Sequence, residues 1–136
     1  MKSTRQILIV DDHTIVRQGL KRIIEDVAGL TVAGEAANAA EAMDFLAGHP
    51  FDLVILDINL PGISGLDLIS EIRDRGIAAE IVMLTMFEDR DHLLTALKRG
   101  ATGYILKGSD SREILTALEE VARGGAPMSP PIARLL

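Results

Sequence analysis

Residues 53–69 read LVILDINLPGISGLDLI. The stretch opens with four apolar residues in a row, Leu53 to Leu56. A strand wetted on one face alternates apolar and polar positions. An unbroken apolar run suits a strand covered on both faces, as in a parallel sheet. Asp57 ends the run, Pro61 and Gly62 supply turn chemistry, and Ser64 stands where a helix N-cap belongs. A stripe of helical period follows over 65–75. The stretch therefore predicts one strand–turn–helix unit with a carboxylate at the strand's carboxyl end.

The same unit recurs outward in both directions. Continuous apolar runs occur at Ile7 to Val10, Ile81 to Leu84 and Tyr104 to Leu106, with a weaker one over Thr31 to Ala36. Between them lie helical stripes. Ile15, Val16, Gly19, Leu20, Ile23, Ile24 and Val27 draw one, and segments 38–47, 89–99 and 110–123 carry the others. Gly29, Gly48, Gly76, Gly100 and Gly124 follow the stripes closely and are expected to stop the helices in left-handed caps. Strand and helix thus alternate five times. The fold class is α/β, a doubly wound five-stranded parallel sheet with right-handed crossovers and helices on both faces. Periodicity leaves the strand order open.

Composition narrows the function. The 136 residues suit one domain, and 48% hydrophobic with 25% charged residues is globular composition. There is no cysteine, so disulfides, thiolate metal sites and cysteine nucleophiles are excluded, and a reducing, cytoplasmic setting is expected. No apolar run approaches the roughly 18 residues of a membrane span, and MKSTRQ leads into a run too short for a signal peptide. Fourteen basic against twenty acidic side chains leave a net charge of −6, so this chain is not expected to grip nucleic acid by itself. Residues 125–136, GAPMSPPIARLL, hold three of the five prolines and read as a linker after a domain over 1–124.

In open α/β sheets ligands bind beyond the carboxyl ends of the strands. Strand one runs into Asp11 and Asp12, strand three into Asp57, strand four into Thr85 and strand five into Lys107. Each alone has a plainer reading: Asp12 as the N-cap of a helix beginning near Thr14, Thr85 as a cap, Lys107 as a solvated cation. Together they deliver three carboxylates, a hydroxyl and an ammonium to one rim. Clustered carboxylates suit a hard divalent cation such as Mg²⁺. An aspartate can accept a phosphoryl group as an aspartyl phosphate, with lysine and threonine on the phosphoryl oxygens. His13, His49 and His92 lie on separate segments without ligand spacing, and a histidine metal site is not expected.

The stretches ILIVDDH at 7–13, 53–69 as quoted, IVMLT at 81–85 and GATGYILKG at 100–108 resemble, in joint order and spacing, the response-regulator receiver domain of two-component signalling. DDHTIVRQGL at 11–20 and the closing SPPIARLL resemble the NarL/FixJ subgroup, whose receiver precedes a LuxR-type helix-turn-helix. The resemblance covers about residues 5–124. It implies a flavodoxin-like (βα)5 fold of strand order 2-1-3-4-5. It makes Asp57 the phosphoacceptor, Asp11 and Asp12 the Mg²⁺ carboxylates with the Asn59 backbone carbonyl, and Thr85 and Lys107 the phosphoryl-binding pair. Tyr104 would be an aromatic switch that turns inward as Thr85 moves. It further implies a sensor histidine kinase as donor, a homodimer on phosphorylation, and DNA contact only through an output domain beyond this chain. Two features depart from the commonest pattern. Gly108 rather than proline follows Lys107, and Met86, larger than the usual small residue, is expected to restrict access to Asp57. Two other classes stay open: a phosphohydrolase of the haloacid-dehalogenase kind, against which Asn59 stands where a general acid is needed, and a stand-alone or atypical receiver serving as an interaction module.

Overall fold

The computed structural model describes residues 4–136; residues 1–3, included in the domain by the sequence reading, lie outside the described residues. The elements are β1 (Arg5–Val10), α1 (Thr14–Glu25), β2 (Leu30–Ala36), α2 (Ala39–Gly48), β3 (Leu53–Leu56), α3 (Gly65–Asp74), β4 (Glu80–Thr85), α4 (Arg90–Arg99), β5 (Gly103–Leu106), α5 (Ser111–Ala122) and a short α6 (Pro130–Ala133). All strand pairs are parallel, in the order β2-β1-β3-β4-β5. Both the fold class and the strand order implied by the resemblance hold.

Because neighbouring side chains on a strand point to opposite faces, each apolar run feeds two cores. Leu8, Val10, Val54, Leu56, Ile81, Met83 and Tyr104 pack on one face with α2, α3 and α4. Ile7, Ile9, Leu53, Ile55, Val82, Leu84 and Ile105 pack on the other with α1 and α5. This is why the strands read as unbroken apolar runs.

The helix ends follow local chemistry, with two corrections; one is Gly29, which has positive φ but lies three residues past Asp26, the C-cap of α1, and so stops no helix. Asn38, Ser64, Asp89 and Asp110 cap α2 to α5 with side-chain acceptors, and Asp110 with Glu113 closes a reciprocal capping box. Gly100 takes the left-handed conformation expected at a helix stop. Gly48 does not: it is the last residue of α2, and His49 leaves the helix in extended conformation. Pro50 follows His49, and the residue before a proline is driven towards extended backbone by the proline ring, so no left-handed cap is needed there.

The C-terminal segment, read as a linker, lies against the sheet. Pro130 and Pro131 do not continue a helix; they open one, where a missing N–H costs nothing. Ile132 is fully buried in the core cluster that holds Tyr104, and Met128 and Leu135 pack against that cluster. Met128 pairs with Tyr104 as a parallel bridge on the outer edge of β5.

Candidate functional site

The register of the sheet assembles the site. Val10 pairs with Leu56, and the Asp57 N–H donates to the Val10 carbonyl at 3.0 Å, so Asp11 and Asp57 leave adjacent strands side by side. Thr85 pairs with Leu106, and the Lys107 N–H donates to the Thr85 carbonyl at 2.9 Å. Four strand ends meet at one rim, the place where β1 and β3 lead their connections to opposite faces.

Asp11 and Asp57 are each only 3% exposed, yet both are charged partners of one cation. Lys107 Nζ lies 2.8 Å from Asp11 Oδ2 and 3.0 Å from Asp57 Oδ2. Burial pulls the lysine's proton affinity down, but the two carboxylates outweigh it, and its pKa is held above the ordinary lysine value. Asp12 is exposed beside them and is not the helix N-cap; that position is His13, which caps nothing with its side chain. Oxygens of Asp11, Asp12 and Asp57, with a nitrogen of His13, all lie within 4.8 Å of one another.

Several neighbours hold this geometry. Asp11 Oδ1 accepts from the His13 N–H at 2.9 Å, and its backbone carbonyl accepts from the Arg17 guanidinium at 2.6 Å. Arg17 is also paired with Glu35 on β2 at 3.3 Å. Gly65 lets the start of α3 touch the strand end: its N–H donates to the Ile58 carbonyl at 2.7 Å, and a Cβ there would collide with the Asp57 carbonyl oxygen. Asn59 is exposed, and the turn's backbone hydrogen bonds from Leu60 and Gly65 go to the Ile58 carbonyl, leaving that of Asn59 outside them.

The Thr85 side is linked to Tyr104. Thr85 is fully buried and its hydroxyl accepts from the Phe87 N–H at 3.3 Å. Tyr104 is fully buried, ring inward, and its hydroxyl donates to the Phe87 carbonyl at 2.7 Å. Burial first, then the negative charges of Asp89 and Asp57, push the phenol's pKa well above its ordinary range. Met86, directly after Thr85, is 72% exposed, while Asp57 beneath the rim is buried.

All seven residues singled out in the sequence lie on this rim or in the strand beneath it. His13 and Arg17 were missed. His13 Nδ1 sits 2.9 Å from Asp11 and 3.2 Å from Asp12, so the acidic group includes an imidazole that sequence spacing dismissed. Its place directly after the acidic pair was the available signal. Arg17 had none beyond its position one helical turn from His13.

A parallel five-stranded sheet whose strand ends gather buried carboxylates around one lysine fits a module that receives a phosphoryl group. Comparison with known proteins agrees. The family described as response regulator receiver domain matches residues 7–119, and this chain belongs to it. A two-component response regulator of the LuxR family from Aurantimonas sp. SI85-9A1 is 41% identical, with TM-score 0.92 over 97% of this chain and 94% of that one. The nitrate/nitrite response regulator protein NarL of Escherichia coli K12 is 35% identical over 130 residues, 96% of this chain and 60% of NarL. The isolated receiver domain of RcsB from Salmonella enterica serovar Typhimurium, solved with the phosphomimetic BeF3⁻, is 26% identical, with TM-score 0.91 over 98% of this chain and 99% of that one. The chain is thus a receiver domain of the NarL/LuxR type, a module of phosphorylation-dependent signalling, and spans about three fifths of the length of curated relatives such as NarL. Among the described residues no helix is long and apolar enough to cross a membrane.

Proposed function

We propose that Asp57 accepts a phosphoryl group from the phosphohistidine of a sensor kinase. An Asp57 carboxylate oxygen attacks phosphorus, the P–O bond forms as the P–N bond breaks, and the leaving imidazole takes its proton from solvent. The observation that carries the reading is the single lysine shared by the buried Asp57 and Asp11 carboxylates at 3.0 and 2.8 Å. Lys107 neutralises charge on the phosphoryl oxygens, and the buried Thr85 hydroxyl, whose proton is not used by the Phe87 N–H it accepts, donates to another.

The donor set fits Mg²⁺. Three carboxylates with oxygens within 4.8 Å of one another are hard ligands carrying more negative charge than Lys107 offsets. Asp11, Asp12, Asp57 and the Asn59 carbonyl would hold the ion, which supplies positive charge for the transferring phosphoryl oxygens. Tyr104 and Thr85 both bond Phe87, one at its carbonyl and the other at its N–H, so a shift of the threonine hydroxyl is felt by the phenol. That connection supports their pairing as a switch.

In the whole protein, residues 1–124 form the receiver and 125–136 lead towards a LuxR-type output domain. Phosphorylation favours a homodimer, DNA is contacted by the output domain, and the setting is cytoplasmic, as the cysteine-free sequence suits. The LuxR-family likeness supports this organisation. Electrophoresis on a phosphate-binding gel after treatment with acetyl phosphate and Mg²⁺ tests the acceptor. Wild type is expected to give a retarded band that Asp57→Asn lacks; identical lanes refute the assignment.

A further inference from the structure

The acidic group includes an imidazole that local structure does not explain. His13 is the N-cap of α1, with extended backbone at φ −92° and ψ 109°, yet its side chain makes no cap hydrogen bond. Ser, Thr, Asp and Asn serve that position best, so capping does not account for a histidine there. The ring turns instead to the carboxylates. Nδ1 lies 2.9 Å from Asp11 Oδ1 and 3.2 Å from Asp12 Oδ1.

Those separations match neighbouring ligands on a single ion. Donors about 2.1 Å from a dication stand about 3.0 Å apart along an octahedral edge and about 3.4 Å apart along a tetrahedral one. Asp11 divides its oxygens accordingly: Oδ2 faces the Lys107 ammonium at 2.8 Å, and Oδ1 faces His13. The backbone of His13 is anchored on both sides. Its N–H donates to Asp11 Oδ1 at 2.9 Å, and its carbonyl accepts from the Arg17 N–H at 3.1 Å. Asp12 and His13 also form the open side of the group, with side chains 36% and 58% exposed against 4% for Asp11. An ion arriving from solvent meets them first.

Oxygen donors alone suit Mg²⁺, whereas an imidazole adds affinity for first-row transition ions, whose complexes strengthen from Mn²⁺ towards Cu²⁺. We infer that His13 is a metal ligand through Nδ1 and tunes the site towards a first-row transition dication over Mg²⁺. This rests on the divalent-cation reading of Asp11, Asp12 and Asp57. The new bond uses the Nδ1 lone pair. Beside an ionised carboxylate, which only accepts, the ring proton sits on Nδ1; ligation needs it on Nε2 instead. The exposed ring makes that exchange through water, and no net proton is released.

Isothermal titration calorimetry of this chain with MgCl2 and with CoCl2, for wild type and His13→Asn, tests the inference. Asparagine is a good N-cap and exchanges the nitrogen donor for an oxygen. The ratio of the Mg²⁺ Kd to the Co²⁺ Kd is expected to fall about tenfold in the variant, with Mg²⁺ affinity changed about threefold at most. Mn²⁺ bound to wild type is expected to show imidazole nitrogen coupling in its electron spin echo, and Mn²⁺ bound to His13→Asn none. Three results each overturn His13 as a ligand while leaving the cation reading standing: an unchanged ratio, no nitrogen coupling in wild type, or coupling that survives in His13→Asn and so comes from His49 or His92. Failure of wild type to bind either ion overturns the cation reading and this inference with it.

Discussion

Replacing Lys107 by methionine leaves two buried carboxylates facing each other. Their oxygens approach within 4.8 Å. Two unit charges at that separation repel by about 3.5 kcal/mol at an effective dielectric of about 20. Breaking a buried ion pair costs about 3–5 kcal/mol in general, so a loss of about 3 kcal/mol at pH 7 is expected. Urea unfolding in EDTA, followed by circular dichroism, measures it.

The pair carries a pH signature in the wild type. The Lys107 pKa is raised in the folded state, so the contribution of the ammonium is complete at neutral pH and is lost only as pH climbs through the alkaline lysine range. Millimolar Mg²⁺ is expected to restore part of the variant's stability, because a dication fills the same electrostatic role. Asp57→Asn is the counterpart: it keeps the Lys107–Asp11 pair, removes the repulsion, and is not destabilised. Lys107→Met as stable as wild type at pH 7 in EDTA would refute the reasoning.

Tyr104 is the sole tyrosine and there is no tryptophan, so tyrosinate absorbance reads one group. Its raised pKa means that folded stability is intact below the ordinary phenol range and is lost as pH rises above it. Ionisation is expected to coincide with alkaline unfolding; a smooth titration near pH 10 in still-folded protein would contradict the burial of the ring. Gly65→Ala places a methyl against the Asp57 carbonyl, and since that neighbour is backbone, a loss of about 2–3 kcal/mol in urea unfolding is expected, with slower phosphorylation by acetyl phosphate; unchanged stability would mean that α3 can retreat freely.

The apolar runs and the polar residue ending each of them carried most of the fold and the rim in the sequence. That works because a strand buried on both faces leaves only its end free for chemistry. What stayed hidden depends on contacts between distant segments. Arg17 reaches the Asp11 carbonyl only once α1 has turned back over β1. His13 joins the carboxylates because the chain bends at the start of the helix. The tail's prolines and glycine look like those of any linker; its docking needs the open edge of β5 and the bare Cα of Gly103, which only the assembled sheet brings together.

The proposed chemistry also says where motion must occur. Lys107 now bonds the Asp57 carboxylate. Esterifying an Asp57 oxygen moves the negative charge outward onto the phosphoryl group and leaves a poorer acceptor behind, so Nζ must follow the charge. The lysine's backbone cannot go with it: its N–H is fixed to the Thr85 carbonyl and the preceding residue is held by Ser129. The flexible side chain absorbs that adjustment. Thr85 has no such reach, because its hydroxyl sits on the Cβ of a buried strand residue. Bringing it to a phosphoryl oxygen requires the chain beyond it to shift, and Phe87, two residues on, is the one whose carbonyl Tyr104 grips. Rearrangement is thereby directed into the segment between β4 and α4, while β1, β3 and their carboxylates stay in place.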